Sequence, residues 1–330
     1  LRFRGTALLA VFALILTGCE TSPPVNVEEN IYGGVAVNGS PRGASIIVDG
    51  ANTGKAIPDT VTVLAGIRSL RIEKDGYISE TRSVTVPGHA ITEEVFDLAP
   101  VTERKLVVLE DFANVSCVPC VTSNRVIESL KTGTYNDSQL LVIKYHLNFP
   151  SPNDPFYQAN KSQLNARGQL YNILSTPTTY IDGQLKPVSS DSNQIKQYVD
   201  QQLAKPALFR MNVSDSVSLG VIHAKVRINV LSMPQVDSSD IVLHVYALQT
   251  ETSFANPPGA NGETVFHDVV RGFFTGTGGI IPVIKQSGQQ LTFDFSLATG
   301  SGWDLAKIKV VAFLQHKTTK EIYQAAFSVN

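Results

Sequence analysis

Residues Lys105 to Leu130, KLVVLEDFANVSCVPCVTSNRVIESL, constrain the fold more than any other stretch of the chain. An apolar run from Leu106 to Leu109 meets the acidic pair Glu110 and Asp111, and a short turn leads into Cys117-Val118-Pro119-Cys120 at the start of a helical pattern. The spacing predicts a strand that delivers two cysteines to a helix N-terminus. Unpaired backbone N–H groups and the helix dipole favour an anion there, which lowers a thiol pKa and populates the thiolate. Cys117 is the better-placed nucleophile, and Cys120, one turn further in, can resolve a mixed disulfide. Two other uses of the pair stay open from the residues alone. A structural disulfide is one, although a loop this short contributes little entropic stabilisation. Zinc is the other, but it normally takes four ligands, and the six histidines are scattered with no second CxxC.

The same residues resemble the thioredoxin superfamily. Asp111-Phe112 precede Cys117 at the spacing where that family carries a buried acid beside the second cysteine, and Pro119 stands directly before Cys120. Ser116 occupies the position of the usual tryptophan, so the exposed aromatic beside the nucleophile is missing. Thr176-Pro177 falls where the family keeps a cis-proline facing the cysteines. The resemblance therefore implies a catalytic set of Cys117, Cys120 and Asp111, with Thr176 and Pro177 binding an extended substrate segment by strand addition. Glu110 alternates to the other face of the strand and is expected to be solvated or at a sheet edge. His146, at the end of a strand, is expected to be hydrogen-bonded in a loop more often than to tune the thiols.

The start of the chain sets the compartment. Arg2 and Arg4 precede an apolar segment, Ala7 to Leu16, that is too short to span a bilayer and reads as a secretory signal. It ends in Leu16-Thr17-Gly18-Cys19, which resembles the lipobox of bacterial lipoproteins and implies a lipid-modified Cys19. Several acyl chains on one residue give stable anchoring. With Cys19 lipidated, Cys117 and Cys120 remain as an isolated pair among three cysteines. A formal net charge of -2 gives no electrostatic reason to propose nucleic acid as a partner.

At 330 residues the chain predicts two or three domains. Residues 1–19 read as the signal and 20–34 as a polar, proline-bearing tether. Short β-rich runs between Gly and Pro turns follow over 35–99. There, Ser40-Pro41-Arg42-Gly43-Ala44, Val48-Asp49-Gly50, Gly54, Ala65-Gly66 and Gly76-Tyr77 resemble the PEGA domain, with Arg42 in place of Glu. That family implies a spacer or binding module without catalytic residues. Over 103–205 the order strand, helix, strand, helix, strand, helix predicts a thioredoxin-like α/β domain. From 207 to 330, seven alternating β-runs with no helix of convincing period predict a separate β-sandwich. The fold class expected is thus multidomain α+β.

The order of motifs across 103–330 is similar to that of the Omp28-related outer-membrane lipoprotein family: Asp111-Phe112 with the CxxC, Tyr145-His146, Asp154-Pro155-Phe156-Tyr157, Thr176-Pro177-Thr178, Asp182-Gly183, His267 to Arg271 and Val311-Ala312-Phe313. That resemblance implies the outer membrane. Two functions follow as expectations. The first is an envelope-anchored thiol–disulfide oxidoreductase acting on proteins with disulfides or thiols, without cofactor or metal. The second is a non-catalytic surface lipoprotein that keeps a static disulfide and serves as a binding or structural module.

Overall fold

The computed structural model describes residues 30–74, 76–100 and 103–329. The signal, Cys19 and most of the tether lie outside these residues.

Seven strands build the first module: β1 (Tyr32–Ser40), β2 (Ser45–Val48), β3 (Ala51–Ala56), β4 (Asp59–Leu64), β5 (Gly66–Glu73), β6 (Glu80–Val86) and β7 (Ile91–Asp97). They form two sheets, β4-β1-β7 and β3-β2-β5-β6. Val35, Val37, Ile46, Ile57, Leu70, Ile72, Val86 and Phe96 fill the core between them. Alternation fixes which residues enter it: in β6, Val84 and Val86 are buried while Thr81, Ser83 and Thr85 turn outward. Asp49 takes a positive φ in the β2–β3 hairpin, and its carboxylate accepts from the Ser69 backbone at 2.9 Å and from Arg68 at 3.1 Å. Asp49 is thus turn chemistry within the hairpin.

The remainder is arranged around one seven-stranded sheet. In chain order come β8 (Val107–Ala113), α1 (Cys120–Gly133), β9 (Leu140–His146), α2 (Pro155–Ala159), α3 (Lys161–Leu170), β10 (Thr178–Ile181) and α4 (Ser192–Leu203). They are followed by β11 (Phe209–Ser218), β12 (Val221–Val230), β13 (Ile241–Ser253), β14 (Val265–Phe273), β15 (Gln290–Ala298), β16 (Ile308–His316) and β17 (Ile322–Phe327). The sheet order is β10-β8-β9-β14-β13-β16-β17, with β8 and β9 parallel and β14 joining β9 in parallel at Val269 and Lys144. Every residue of β8 and of β9 is buried, because both faces of the sheet are covered.

One face packs on α2 and α3 along its whole width: Val108, Phe112, Ile143, Tyr145, Tyr246 and Phe313 share a core with Tyr157 and Leu164. The opposite face is divided. Its β8–β9 half lies under α1 and α4, where Val107, Leu109 and Val142 meet Ile127, Ile195 and Val199. Its β13–β16 half lies under the three-stranded sheet β11-β12-β15, where Leu243, Val245, Val310 and Ala312 meet Ile222, Val226 and Ile228.

This arrangement corrects the expected fold class. The thioredoxin-like α/β domain followed by a separate β-sandwich does not form. The described residues are predominantly β, with seventeen strands against four α-helices. The C-terminal strands divide between two sheets: β13, β14, β16 and β17 extend the sheet that β8, β9 and β10 begin. The physical reason is that β9 has an open edge in its own segment, and β14 supplies the backbone partners and the buried Val269 and Val270 that close it.

Candidate functional site

The Cys117–Cys120 pair is a disulfide, with an S–S distance of 2.04 Å and Cα atoms 5.3 Å apart. The helix that was expected from Cys117 begins at Cys120, with Pro119 as its N-cap residue, so Cys117 sits in the preceding turn. Cys117 Sγ still accepts the Cys120 backbone N–H at 3.2 Å. Both half-cystines are enclosed, Cys117 being 1% exposed and Cys120 0%.

What encloses them comes largely from far along the chain. Asn114 sets the turn by donating to the Leu147 and Ser151 carbonyls at 2.7 and 2.8 Å and accepting from Ser116 N–H at 2.8 Å. Asp154 anchors it from the side: one carboxylate oxygen takes the Val115 N–H at 2.8 Å and His146 Nδ1 at 2.6 Å, the other caps α2 through Phe156 and Tyr157. Burial alone would raise the Asp154 pKa, but His146 and these donors hold it below the usual carboxylate value. His146 is therefore a buried structural partner of Asp154, flanked by the rings of Phe156 and Phe266. Above the turn runs the β13–β14 connection. Asn261 N–H donates to the Val115 carbonyl at 3.3 Å, and Ala260 N–H donates to Ser116 Oγ at 3.2 Å. A Cβ on Gly259 would lie 2.4 Å from that same Val115 carbonyl, so only glycine allows this approach.

Two residues before Ala113, which packs on the disulfide, Asp111 is fully buried and accepts a hydrogen bond from Thr179 Oγ1 at 3.1 Å. Its other oxygen has Lys144 Nζ at 3.8 Å and no hydrogen-bond partner. Burial raises its pKa, an effect that Lys144 partly offsets. Lys144 is hydrogen-bonded to Asn124 of α1, which in turn donates to both oxygens of Glu263 at 3.0 and 2.9 Å. Glu263 lies on the β13–β14 connection, so this polar chain also ends in the C-terminal segment.

Thr176-Pro177 is a cis peptide, as the resemblance implied, and leads into β10 at the edge of the sheet. A groove of about 550 Å³ opens there, lined by Pro119, Thr122, Pro177, Thr178, Lys186 and Ser190 among others. Val118, Leu174 and Val188 stand exposed close to these residues in the chain. The structure thus brings Pro119, next to Cys120, and Pro177 to one surface, while the sulfur atoms and Asp111 lie in the interior. Among the described residues no group of His, Cys, Asp or Glu is placed to hold a metal ion.

Glu110 departs from expectation most sharply. It is neither solvated nor at an edge but 0% exposed. Arg167 of α3 donates to it through Nε at 2.8 Å and also through Nη2, and the hydroxyls of Tyr145 (2.8 Å) and Tyr171 donate as well. Arg167 Nη1 continues to Gln315 of β16 at 2.8 Å, and Gln315 returns to the Tyr171 hydroxyl at 2.8 Å. Both tyrosines have pKa values raised well above normal by burial and by Glu110. Arg167 and Gln315 carried no motif; only an arginine in a weakly amphipathic stretch and a glutamine within an apolar strand hinted at them.

In class, the region after residue 103 is a mixed β structure whose disulfide is internal and whose accessible feature is a groove. Residues 32–95 match the PEGA domain. No curated protein sequence matches the chain. Among solved structures, HBP35 of Porphyromonas gingivalis is 17% identical with a TM-score of 0.56, covering 69% of this chain and 76% of that one. A structural-genomics target from Agrobacterium tumefaciens is 14% identical with a TM-score of 0.46, over 68% of this chain and 93% of that one. A domain of the outer membrane lipoprotein Omp28 from Porphyromonas gingivalis is 18% identical with a TM-score of 0.26, over 38% of this chain and 89% of that one. The HBP35 likeness shows a shared fold; the other two are too distant to add to it. No described helix is long and apolar enough to cross a membrane.

Proposed function

We propose that the chain is a non-catalytic lipoprotein of the bacterial cell envelope, held at the outer membrane through Cys19, in which the Cys117–Cys120 disulfide is static. The observation that carries this reading is the burial of both half-cystines, in a turn that the Gly259–Asn261 connection holds through Val115 and Ser116. Exchange requires a thiolate to reach a disulfide sulfur, and here both half-cystines are buried in a turn that a distant segment of the same chain covers at Val115 and Ser116. Ser116, the position where an exposed aromatic would greet a substrate, is instead hydrogen-bonded to that cover.

In this reading the disulfide fixes the turn that forms one wall of the groove, and the groove is the working surface. Exposed Val188 lines it, and Val118 and Leu174 are exposed next to its lining residues Pro119 and Ser175 in the chain; apolar side chains beside a polar rim are what protein interfaces use. The envelope assignment rests on the apolar N-terminal segment and the lipobox-like Leu16-Thr17-Gly18-Cys19, and the spacer role of the first module on its PEGA match. Insulin reduction in the presence of dithiothreitol tests the catalytic question. The proposal expects the purified chain to leave the uncatalysed rate unchanged; acceleration that disappears in Cys117→Ala would overturn it.

A further inference from the structure

The first module has two unlike ends. Strands β1 and β7 run parallel, in register from Gly34 with Ile91 to Ser40 with Asp97, so the chain enters the module at one end and leaves it at the other. The exit end meets the rest of the molecule: Gly43, Ser45 and Lys74 line a common cavity with Ser232 and Met233. The entry end is apolar, and among the described residues nothing from the rest of the molecule packs on it.

Ile31, Tyr32, Leu64, Ile67 and Ile91 are all exposed there, Ile67 by 73% and Ile91 by 64%. They form one tip. Tyr32 pairs with Leu64 across β1 and β4, Ile91 lies over Gly34, and the backbone of Ile31 receives Ala65 N–H at 2.8 Å. Further along the same sheet the solvent-facing positions are mostly polar, as in Thr62, Asn38 and Glu93, with Val95 as an apolar exception. The charged groups at the tip are Arg68 and Asp49, which pair with each other at 3.1 Å, and Arg68 also donates to the carbonyls of Leu64 and Ala65 at 2.8 and 3.0 Å. Among the described residues, no core uses these five side chains.

We propose that this tip rests on the surface of a lipid bilayer, with Ile31, Tyr32, Leu64, Ile67 and Ile91 in the interfacial region and Arg68 at headgroup level. The inference rests on the lipid-anchor reading of Cys19 given above. The occupant follows from where the chain comes from. Residue 19 lies eleven positions before Asn30, and the chain enters the module beside Ile31, so an acylated Cys19 brings the membrane closest to this end. An aromatic ring, aliphatic side chains and an arginine are the residues that partition into the interface. The module then stands as a spacer roughly 25–30 Å tall, the length of a nine-residue strand, and holds the groove away from the lipid.

The test separates the tip from the anchor. The chain with Cys19→Ser and an N-terminal hexahistidine is captured on vesicles of phosphatidylethanolamine and phosphatidylglycerol doped with a nickel-chelating lipid. A polarity-sensitive fluorophore is attached at Ile67→Cys, or at exposed Arg42→Cys near the exit end. The proposal expects a blue shift and lipid-borne quenching at position 67 and neither at 42. It also expects Ile91→Asp to lower the quenching at 67 by at least about tenfold in apparent affinity. Equal responses at 67 and 42, or indifference to Ile91→Asp with the protein still captured, overturn it. Acylation of Cys19 is read independently by mass spectrometry of the membrane-extracted protein, so loss of the anchor reading and loss of the tip are distinct results.

Discussion

On one face of β8, Glu110 is met by Arg167, Tyr145 and Tyr171; on the other, one residue later, Asp111 is met by a single hydroxyl and a lysine at 3.8 Å. Both carboxylates are fully buried, yet their surroundings differ in kind. The Glu110 side is a saturated ionic and phenolic network that reaches through Gln315 into β16. Such a network fixes how α3 and the far strands sit on the sheet, and breaking it leaves charge without compensation. The Asp111 side keeps an oxygen without a hydrogen-bond partner. Burial of an acid is thus not by itself a mark of chemistry. Partnering distinguishes a structural carboxylate from one whose ionisation is penalised.

The largest expected effect breaks the well-partnered side. Arg167→Met leaves Glu110 buried and unpaired and should destabilise the protein by ~3–5 kcal/mol, read as a lower urea midpoint. Glu110→Leu combined with Arg167→Met should recover most of that loss, because no lone charge then remains. If the single and double variants fall equally, the network is not what couples α3 to the sheet.

A smaller effect is expected at the cover of the disulfide. Gly259→Val drives a Cβ into the Val115 carbonyl and should lift the β13–β14 connection, raising the rate at which dithiothreitol reduces Cys117–Cys120 by roughly tenfold or more while costing about 1–3 kcal/mol of stability. An unchanged rate would mean that another element limits access.

The smallest effect is electrostatic. Asp111 has a folded pKa above its unfolded one, so the native state holds the proton more tightly than the unfolded chain. Its contribution to stability is therefore present at low pH and declines as pH rises from the unfolded value through the folded one. Asp111→Asn removes that decline. Relative to the wild type it should gain stability as pH rises above the ordinary carboxylate value, read in denaturant titrations across that range. A difference that runs the other way would show that the Lys144 contact outweighs desolvation.

Much of this comparison was hidden in the sequence for a physical reason. Periodicity reports which face a residue takes, and Glu110 and Asp111 were correctly placed on opposite faces. It does not report what covers each face. In a strand buried on both sides, such as β8, no polar alternation remains to distinguish solvent from protein. Local features depend on residues within a few positions: the Asp-Gly turn at Asp49, the Asp154 cap of α2 and the Asp191 cap of α4. The pairing of β14 with β9 joins Val269 to Lys144, more than a hundred residues apart, and it brings strands from both expected domains into one sheet. The Gly259 approach was unreadable for the same reason, since Val115 is equally remote in the chain.

The central claim is that the disulfide is sealed in the native state. It is tested most directly by exposing the folded chain to dithiothreitol and iodoacetamide without denaturant and following Cys117 by mass spectrometry, beside the same reaction in urea. The account predicts that Cys117 stays unmodified over the time in which the unfolded chain is completely alkylated. Rapid modification of Cys117 in the folded protein, with Cys120 following, would contradict it and return the pair to exchange chemistry.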